Sequence, residues 1–187
     1  MELKTVYFDN PGKENTDETL RIARARADEL GIRTVVVATT GGDTAAKAVD
    51  VFKGMKVVLV THYTGFKGPN TQEVTDENRK KIEAGGGIIL TTAHAFTGIG
   101  GAMRKKYSMY LEGDIIASTL RIFGQGMKVV CECAIMAADA GHVSVGEDVV
   151  CVAGTGRGAD TAVVLSPVNT MDFFDIKVKE ILCKPHL

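Results

Sequence analysis

The chain has 187 residues, of which 45% are hydrophobic and 24% are charged. These fractions are typical of globular proteins and exclude a disordered or fibrous chain. The 22 basic and 23 acidic residues give a net charge of -1, so no excess of positive charge is present for sequence-independent binding to nucleic acid. The first residues lack a signal-peptide pattern, and no apolar run approaches the roughly 20 residues that span a bilayer. We therefore expect a cytoplasmic protein that binds neither nucleic acid nor membranes.

Short runs of β-branched residues alternate with longer segments of helical periodicity along the whole chain. The predicted strands are residues 5–8, 35–38, 56–61, 88–91, 149–153 and 162–165. The predicted helices are residues 16–30, 44–52, 75–84, 114–123 and 127–140. A further strand is expected in the tail, near residues 176–182, with polar residues between its apolar ones.

This alternation predicts one α/β domain over residues 1–187, with helices on both faces of a mostly parallel sheet in a three-layer α/β/α arrangement. The run Val35, Val36, Val37 is apolar without alternation, as in a strand that is covered on both faces. The tail strand is expected at an edge of the sheet, where it could pair with a second copy. A homo-oligomer is therefore plausible from the sequence.

Ligands of open α/β sheets bind beyond the carboxyl ends of the strands. The second predicted strand is followed there by a glycine turn at the start of a helix, where free N–H groups and threonine hydroxyls can bind phosphate. The alternative is a tight turn with Asp43 or Thr44 as a simple helix cap. The residues of this turn are Thr39, Thr40, Gly41, Gly42, Asp43 and Thr44.

Two further loops reach the same predicted edge. The loop after the strand 149–153 contains Gly156, Arg157 and Gly158, and its arginine can bind phosphate or carboxylate, or be an ordinary surface residue on a hairpin-like turn. The loop after the first strand contains Gly12, and Asn15 or Thr16 is expected to cap the helix that follows.

The ends of the next two strands each place a histidine among threonines and aromatic residues. A histidine there can act as a general acid, a general base or a metal ligand, or simply line the loop. Without a nearby carboxylate in the sequence, the case for a metal is weak, and the four cysteines are expected to be ordinary thiols. The residues expected on this side, where a flat ring could stack, are His62, Thr64, Thr92, His94 and Phe96.

The run from Val35 to Ala45 resembles the C-terminal α/β domain of pyruvate kinase, in which an apolar strand, a threonine-glycine turn and a helix hold a phosphate. The stretch from Glu147 through Gly158 is similar to the last strand pair and effector loop of that domain. As a whole, the chain resembles small stand-alone proteins with this domain, whose function is unassigned. The aspartate at position 43 departs from the more neutral or basic pair of the effector loop and would repel a second phosphate, which argues against sugar-bisphosphate regulation.

The resemblance implies a pyruvate kinase C-terminal-like fold and flavin mononucleotide (FMN) as the ligand and cofactor. It does not imply pyruvate kinase activity, because the catalytic barrel has no room in this sequence. We therefore expect a protein that binds a phosphorylated small ligand, with no metal. Two alternatives remain: a flavin-dependent oxidoreductase with His62 or His94 as proton donor, and a detached regulatory module that binds a partner enzyme.

Overall fold

A computed structural model describes residues 2–187. Its strands are β1 (Val6–Phe8), β2 (Thr34–Ala38), β3 (Lys56–Val60), β4 (Ile88–Leu90), β5 (Val149–Ala153), β6 (Thr161–Ser166) and β7 (Lys177–Pro185). Its α-helices are α1 (Thr16–Leu30), α2 (Asp43–Val51), α3 (Asp76–Ala84), α4 (Gly98–Tyr107), α5 (Glu112–Arg121) and α6 (Gln125–Asp139). Short 3₁₀ helices cover Lys13–Asn15 and Thr170–Asp175.

The seven strands form one sheet in the order β1-β7-β6-β5-β2-β3-β4. The neighbours β5, β2, β3 and β4 are parallel, as are β7 and β1. Strand β6 is antiparallel to both β5 and β7, so it alone opposes the direction of the others. The mostly parallel sheet predicted from the sequence is confirmed.

The helices cover both faces of this sheet. Side chains of α1, α2 and α3 pack on one face, and those of α5 and α6 pack on the other. Alternate residues of β2 belong to the two cores, since Val35 and Val37 face the first set of helices and Val36 faces the second. Because a strand with both faces covered needs no polar side, its sequence is continuously apolar. The fold is therefore the expected three-layer α/β/α arrangement.

Three local features differ from what the sequence led us to expect. Helix α4 was not predicted, because its sequence contains three glycines, of low helix propensity, and no buried stripe. The tail strand β7 extends further than predicted: over the predicted range, to Leu182, its single neighbour among the described residues is β6, whereas Cys183 to Pro185 also pair with β1, which forms the end of the sheet. The side chain of Asn15 does not cap α1 and instead donates to the carbonyl of Asn10 at 2.7 Å.

The topology brings several loops to one edge of the sheet. Strands β2, β3, β4 and β5 are parallel, so the segments that follow Ala38, Val60, Leu90 and Ala153 all emerge at their carboxyl ends. The segment after β1 emerges on the same side, because β1 runs in the same direction. Within residues 2–187, no helix is long and apolar enough to cross a membrane.

Candidate functional site

A cleft of about 980 Å³ opens at the carboxyl ends of the parallel strands. This is the position at which open α/β sheets bind ligands. The predicted site residues that line it are Thr16, Thr39, Thr40, Gly41, Asp43, Thr44, His62, His94, Gly156, Arg157 and Gly158. The predicted residues that do not line it are Gly12, Asn15, Gly42, Thr64, Thr92 and Phe96.

The turn between β2 and α2 presents hydrogen-bond donors without acceptors. Thr39 is only 7% exposed, and its hydroxyl has no hydrogen-bond partner among the described residues. Beside it, the first N–H groups of α2 have no carbonyl one turn earlier to bond to, as at the start of any helix. A buried hydroxyl without a partner is costly, so this turn is suited to an acceptor supplied by a ligand.

The shape of this turn depends on Gly42. Its φ of 97° lies in the left-handed region, and a Cβ added there would lie 2.6 Å from the Cβ of Asn78. The side-chain amide of Asn78 donates to the carbonyl of Gly41 at 2.9 Å and to the carboxylate of Asp43 at 3.0 Å. Glycine is therefore required where α3 closes against the turn.

The alternative considered for this turn, Asp43 or Thr44 as the N-cap of α2, is not observed. Gly42 occupies the N-cap position, and no side chain caps the helix. The carboxylate of Asp43 instead accepts from the side-chain amide of Asn78 at 3.0 Å, and Asp43 is exposed and lines the cleft. The N–H groups at the start of α2 thus remain available to a ligand.

Arg157 approaches the same turn from the loop between β5 and β6. Its guanidinium lies 3.7 Å from a carboxylate oxygen of Glu73, and Lys67 lies 3.8 Å from that oxygen. Burial alone would raise the pKa of Glu73, but the hydrogen bond from His62 and the charges of His62, Lys67 and Arg157 lower it below its ordinary value. Glu73 therefore stays ionised, hydrogen-bonded to His62 and paired with Arg157, both of which line the cleft.

His62 and His94 meet inside an aromatic cluster. Nδ1 of His62 lies 2.6 Å from the carboxylate of Glu73, a partner that the sequence did not reveal because Glu73 is 11 residues away. The ring centroids of His62 and Phe66 are 4.0 Å apart, and those of His62 and His94 are 5.4 Å apart. Tyr63 completes the cluster, 5.1 Å from the His94 ring. These rings form an apolar, partly exposed surface that a flat ligand can cover.

The protonation of His94 follows from its position. Burial lowers its pKa, as do the nearby charges of His62 and Lys128, whereas the carboxylate of Glu132 raises it, with a net downward shift. His94 is therefore neutral at pH 7. The exposed Thr64 and Thr92 and the buried Phe96 stand apart from the lining of the cleft.

The loops around the cleft are joined by Asp160, which is fully buried. Its carboxylate accepts the N–H groups of Gly12 and Thr155, both at 3.0 Å, and the hydroxyl of Thr161 at 2.8 Å. The hydroxyl of Thr16 accepts the N–H of Ala159 at 3.0 Å. The N–H of Gly12 and the hydroxyl of Thr16 thus hold the loops together.

A buried ion pair on α6 was missed by the sequence analysis. Lys128 and Glu132 are one helical turn apart, their side chains are 7% and 5% exposed, and both line the cleft. Glu132 also accepts the N–H of Phe96 at 3.0 Å. The signal was present, because two opposite charges four residues apart interrupt an otherwise apolar helix.

Positive charge is concentrated around the cleft, although the whole chain has a net charge of -1. Six basic and three acidic side chains line it. Two of the basic ones, Lys13 and Arg121, have no carboxylate partner within residues 2–187. The basic lining residues are Lys13, Lys47, Arg104, Arg121, Lys128 and Arg157. This excess favours an anionic ligand.

In the part of the chain that the structure describes, no cluster of three or more His, Cys, Asp or Glu side chains has the geometry of a metal site. All four cysteines are free and buried. Burial raises the pKa of Cys131 to about 11, so this thiol remains protonated.

Comparison with protein families agrees with this architecture. A family model described as pyruvate kinase, alpha/beta domain, matches residues 17–165. The matched segment begins in α1, ends in β6 and includes the turn from Thr39 to Thr44 and the loop of Arg157. The chain belongs to the pyruvate kinase alpha/beta domain family.

Proposed function

We propose that the chain binds a phosphorylated small ligand, FMN, in the cleft at the carboxyl ends of the strands. The observation that carries this proposal is the buried, unpartnered hydroxyl of Thr39 beside the N-terminus of α2. The Thr39 hydroxyl has almost no accessible surface in this conformation, so its side chain must rotate toward the cleft that it lines before a phosphate oxygen supplies the acceptor that it lacks. The helix N-terminus favours the negative charge of that phosphate. Arg157 and Lys13 line the same cleft and add positive charge.

The size and the lining of the cleft also support FMN as the ligand. Its volume of about 980 Å³ is within the range of pockets that enclose ligands of this size. The turn of residues 39–44, which we call the phosphate turn, lines one part of the cleft. The rings of His62, Phe66 and His94 also line the cleft and offer surface on which a flat ring stacks. A ligand with a phosphate at one end and a planar ring at the other matches this arrangement.

A flavin-dependent oxidoreductase is the second candidate function, favoured by the contact between His62 and Glu73. FMN, when bound, supplies hydride and electron transfer. The chain would contribute a proton held on His62, whose Nδ1 lies 2.6 Å from the Glu73 carboxylate. A His62→Ala variant that still binds FMN but has lost turnover with a nicotinamide donor would support this candidate, whereas unchanged turnover would count against it.

Binding itself is tested by the visible absorbance of the freshly purified protein and of the fraction released by denaturation. A yellow chromophore, stoichiometric with the chain and identical to FMN by mass, is the expected result. A colourless protein that also takes up no added FMN would contradict the proposal. A colourless protein that binds added FMN with micromolar or better affinity would still support it.

A further inference from the structure

A buried ion pair such as Lys128–Glu132 is unusual in a helix whose only role is to pack in the hydrophobic core. The neighbouring residues of α6 on the same stretch are buried and apolar or small, including Val130, Cys131 and Ala134. Taking both charges out of water costs more than apolar side chains of similar size would. An ion pair with only a packing role would therefore make the fold less stable than apolar residues would. Because Lys128 and Glu132 both line the cleft, we look for their role there.

Both members of the pair have unused hydrogen-bonding capacity. An ammonium group has three donors, and within the described residues the Lys128 ammonium donates only to Glu132. The two oxygens of Glu132 accept one bond each, from Lys128 and from the N–H of Phe96, and each oxygen has a second lone pair. The pair thus presents a donor and an acceptor side by side in the wall of the cleft.

The surroundings fix this pair in place. The Lys128 ammonium lies 5.5 Å from the centroid of the Phe96 ring, and the backbone of Phe96 is bonded to Glu132. Phe96 and His94 both lie in the segment that follows β4. The charge of Glu132 raises the pKa of His94, and the charge of Lys128 lowers it. The donor and acceptor therefore lie next to the aromatic cluster and in the same cleft as the phosphate turn.

We propose that Lys128 and Glu132 recognise the ring end of the ligand by its imide edge, with the ammonium donating to a ring carbonyl and the carboxylate accepting the adjacent ring N–H. This inference rests on the proposed function and names the group opposite the phosphate. A cyclic imide, as in the pyrimidine part of a flavin, offers a carbonyl oxygen and an N–H in this order. Ligands that have the phosphate but no such edge would be bound through the Thr39 turn alone.

The test compares FMN with 3-methyl-FMN, in which a methyl group replaces the ring N–H, by calorimetric titration of the intact chain. Wild type is expected to bind 3-methyl-FMN about 10- to 100-fold more weakly than FMN, as for loss of a hydrogen bond to a charged group. In Lys128→Met/Glu132→Gln, which removes both charges and keeps an acceptor for Phe96, the two ligands are expected to bind equally. A merely structural role of the pair would leave the discrimination between the ligands unchanged.

The matched control is Glu77→Gln/Lys81→Met, which removes an exposed pair of the same spacing on α3, away from the cleft. This variant is expected to discriminate as wild type does. Equal affinity of wild type for FMN and 3-methyl-FMN would overturn the inference but leave the proposed function standing. This comparison uses only the wild-type protein, so its result does not depend on whether a variant folds. Failure of wild type to bind FMN at all would overturn both.

Discussion

The carboxylate of Asp160 accepts the backbone N–H of Gly12 at 3.0 Å, across 148 positions of the sequence. The same oxygen accepts the N–H of Thr155 at 3.0 Å. One buried side chain thereby joins the loop after β1 to the loop that carries Arg157. The position of Arg157 beside the phosphate turn therefore depends on a residue that itself lies outside the lining of the cleft.

Replacing Asp160 by alanine is expected to destabilise the fold. The N–H groups of Gly12 and Thr155 lose their acceptor, which we expect to lower the free energy of unfolding by about 2 to 4 kcal/mol. Urea denaturation measures this change. The control is Asp17→Ala, which removes a side chain that is 79% exposed and paired with Lys47, with an expected loss below about 1 kcal/mol. Equal losses of unfolding free energy in the two variants would contradict the role of Asp160 in joining the two loops.

Gly42→Ala tests whether the phosphate turn tolerates a side chain. Gly42 and Gly54 both have a positive φ, of 97° and 85°. They differ in their surroundings, because a Cβ added at Gly54 would have no atom of residues 2–187 within 4 Å. Gly54→Ala is expected to cost about 1 to 2 kcal/mol from backbone strain alone. Gly42→Ala adds a clash with Asn78 and is expected to cost about 1 to 3 kcal/mol more.

Thermal unfolding and titration with inorganic phosphate distinguish these two glycine variants. Gly42→Ala is expected to bind phosphate more weakly than wild type, because the N-terminus of α2 must shift away from Asn78. Gly54→Ala is expected to bind as wild type does. Similar stability and affinity for both variants would mean that the closure of α3 against the turn is unimportant.

Glu73 is expected to contribute to stability in a pH-dependent way. Its pKa in the folded state is lowered from the ordinary 4.5, so the unfolded state takes up a proton first as the pH falls. The stabilisation is therefore complete above about pH 4.5 and is lost as the pH falls through the folded-state pKa. Urea unfolding of wild type and Glu73→Gln between pH 7 and pH 3 is expected to show a difference that shrinks at the acid end. A difference that grows there would contradict the role of Glu73.

Thr39→Val separates a ligand-binding role from a structural one. The substitution removes a hydroxyl that has no partner in the described chain, so stability without ligand is expected to be unchanged or higher by about 1 kcal/mol. Affinity for FMN is expected to fall about 10-fold, which titration calorimetry measures. Thr61→Val is the contrast, because its hydroxyl is bonded to the carbonyl of His62 at 2.9 Å and to Thr91 at 2.7 Å. Loss of stability in Thr39→Val but not in Thr61→Val would contradict the claim that the Thr39 hydroxyl serves the ligand and not the fold.

The sequence allowed the sheet and the glycine turn between β2 and α2 to be predicted, because both depend on local pattern. Val35 to Val37 are continuously apolar, and the glycines after Thr40 stand where a helix begins. The partners of the site residues were not predictable in this way. Glu73 reaches His62 through a long loop, and Asp160 reaches Gly12 only after the sheet has formed. Tertiary structure alone brings these pairs together.

The extent of the edge strand and the presence of a helix with low helix propensity also could not be predicted from the local sequence. The first part of β7 resembles an edge strand in its alternation, but β1, the earliest strand in the chain, pairs with its second part. Helix α4 is rich in glycine and exposed, so neither propensity nor periodicity marks it. Lys128 and Glu132 lie in a helix that was predicted, yet their burial follows from the packing of α6 on the sheet.

The central claim is that the turn of Thr39 and the N-terminus of α2 bind the phosphate of a flavin. It is tested most directly by parallel calorimetric titration of the wild-type protein with FMN and with riboflavin, which differ only in the phosphate. We predict a stoichiometric site whose affinity for FMN is at least about 10-fold higher than for riboflavin, as for a charge-assisted bond to the phosphate. Equal affinities, or no binding of either ligand, would contradict the account.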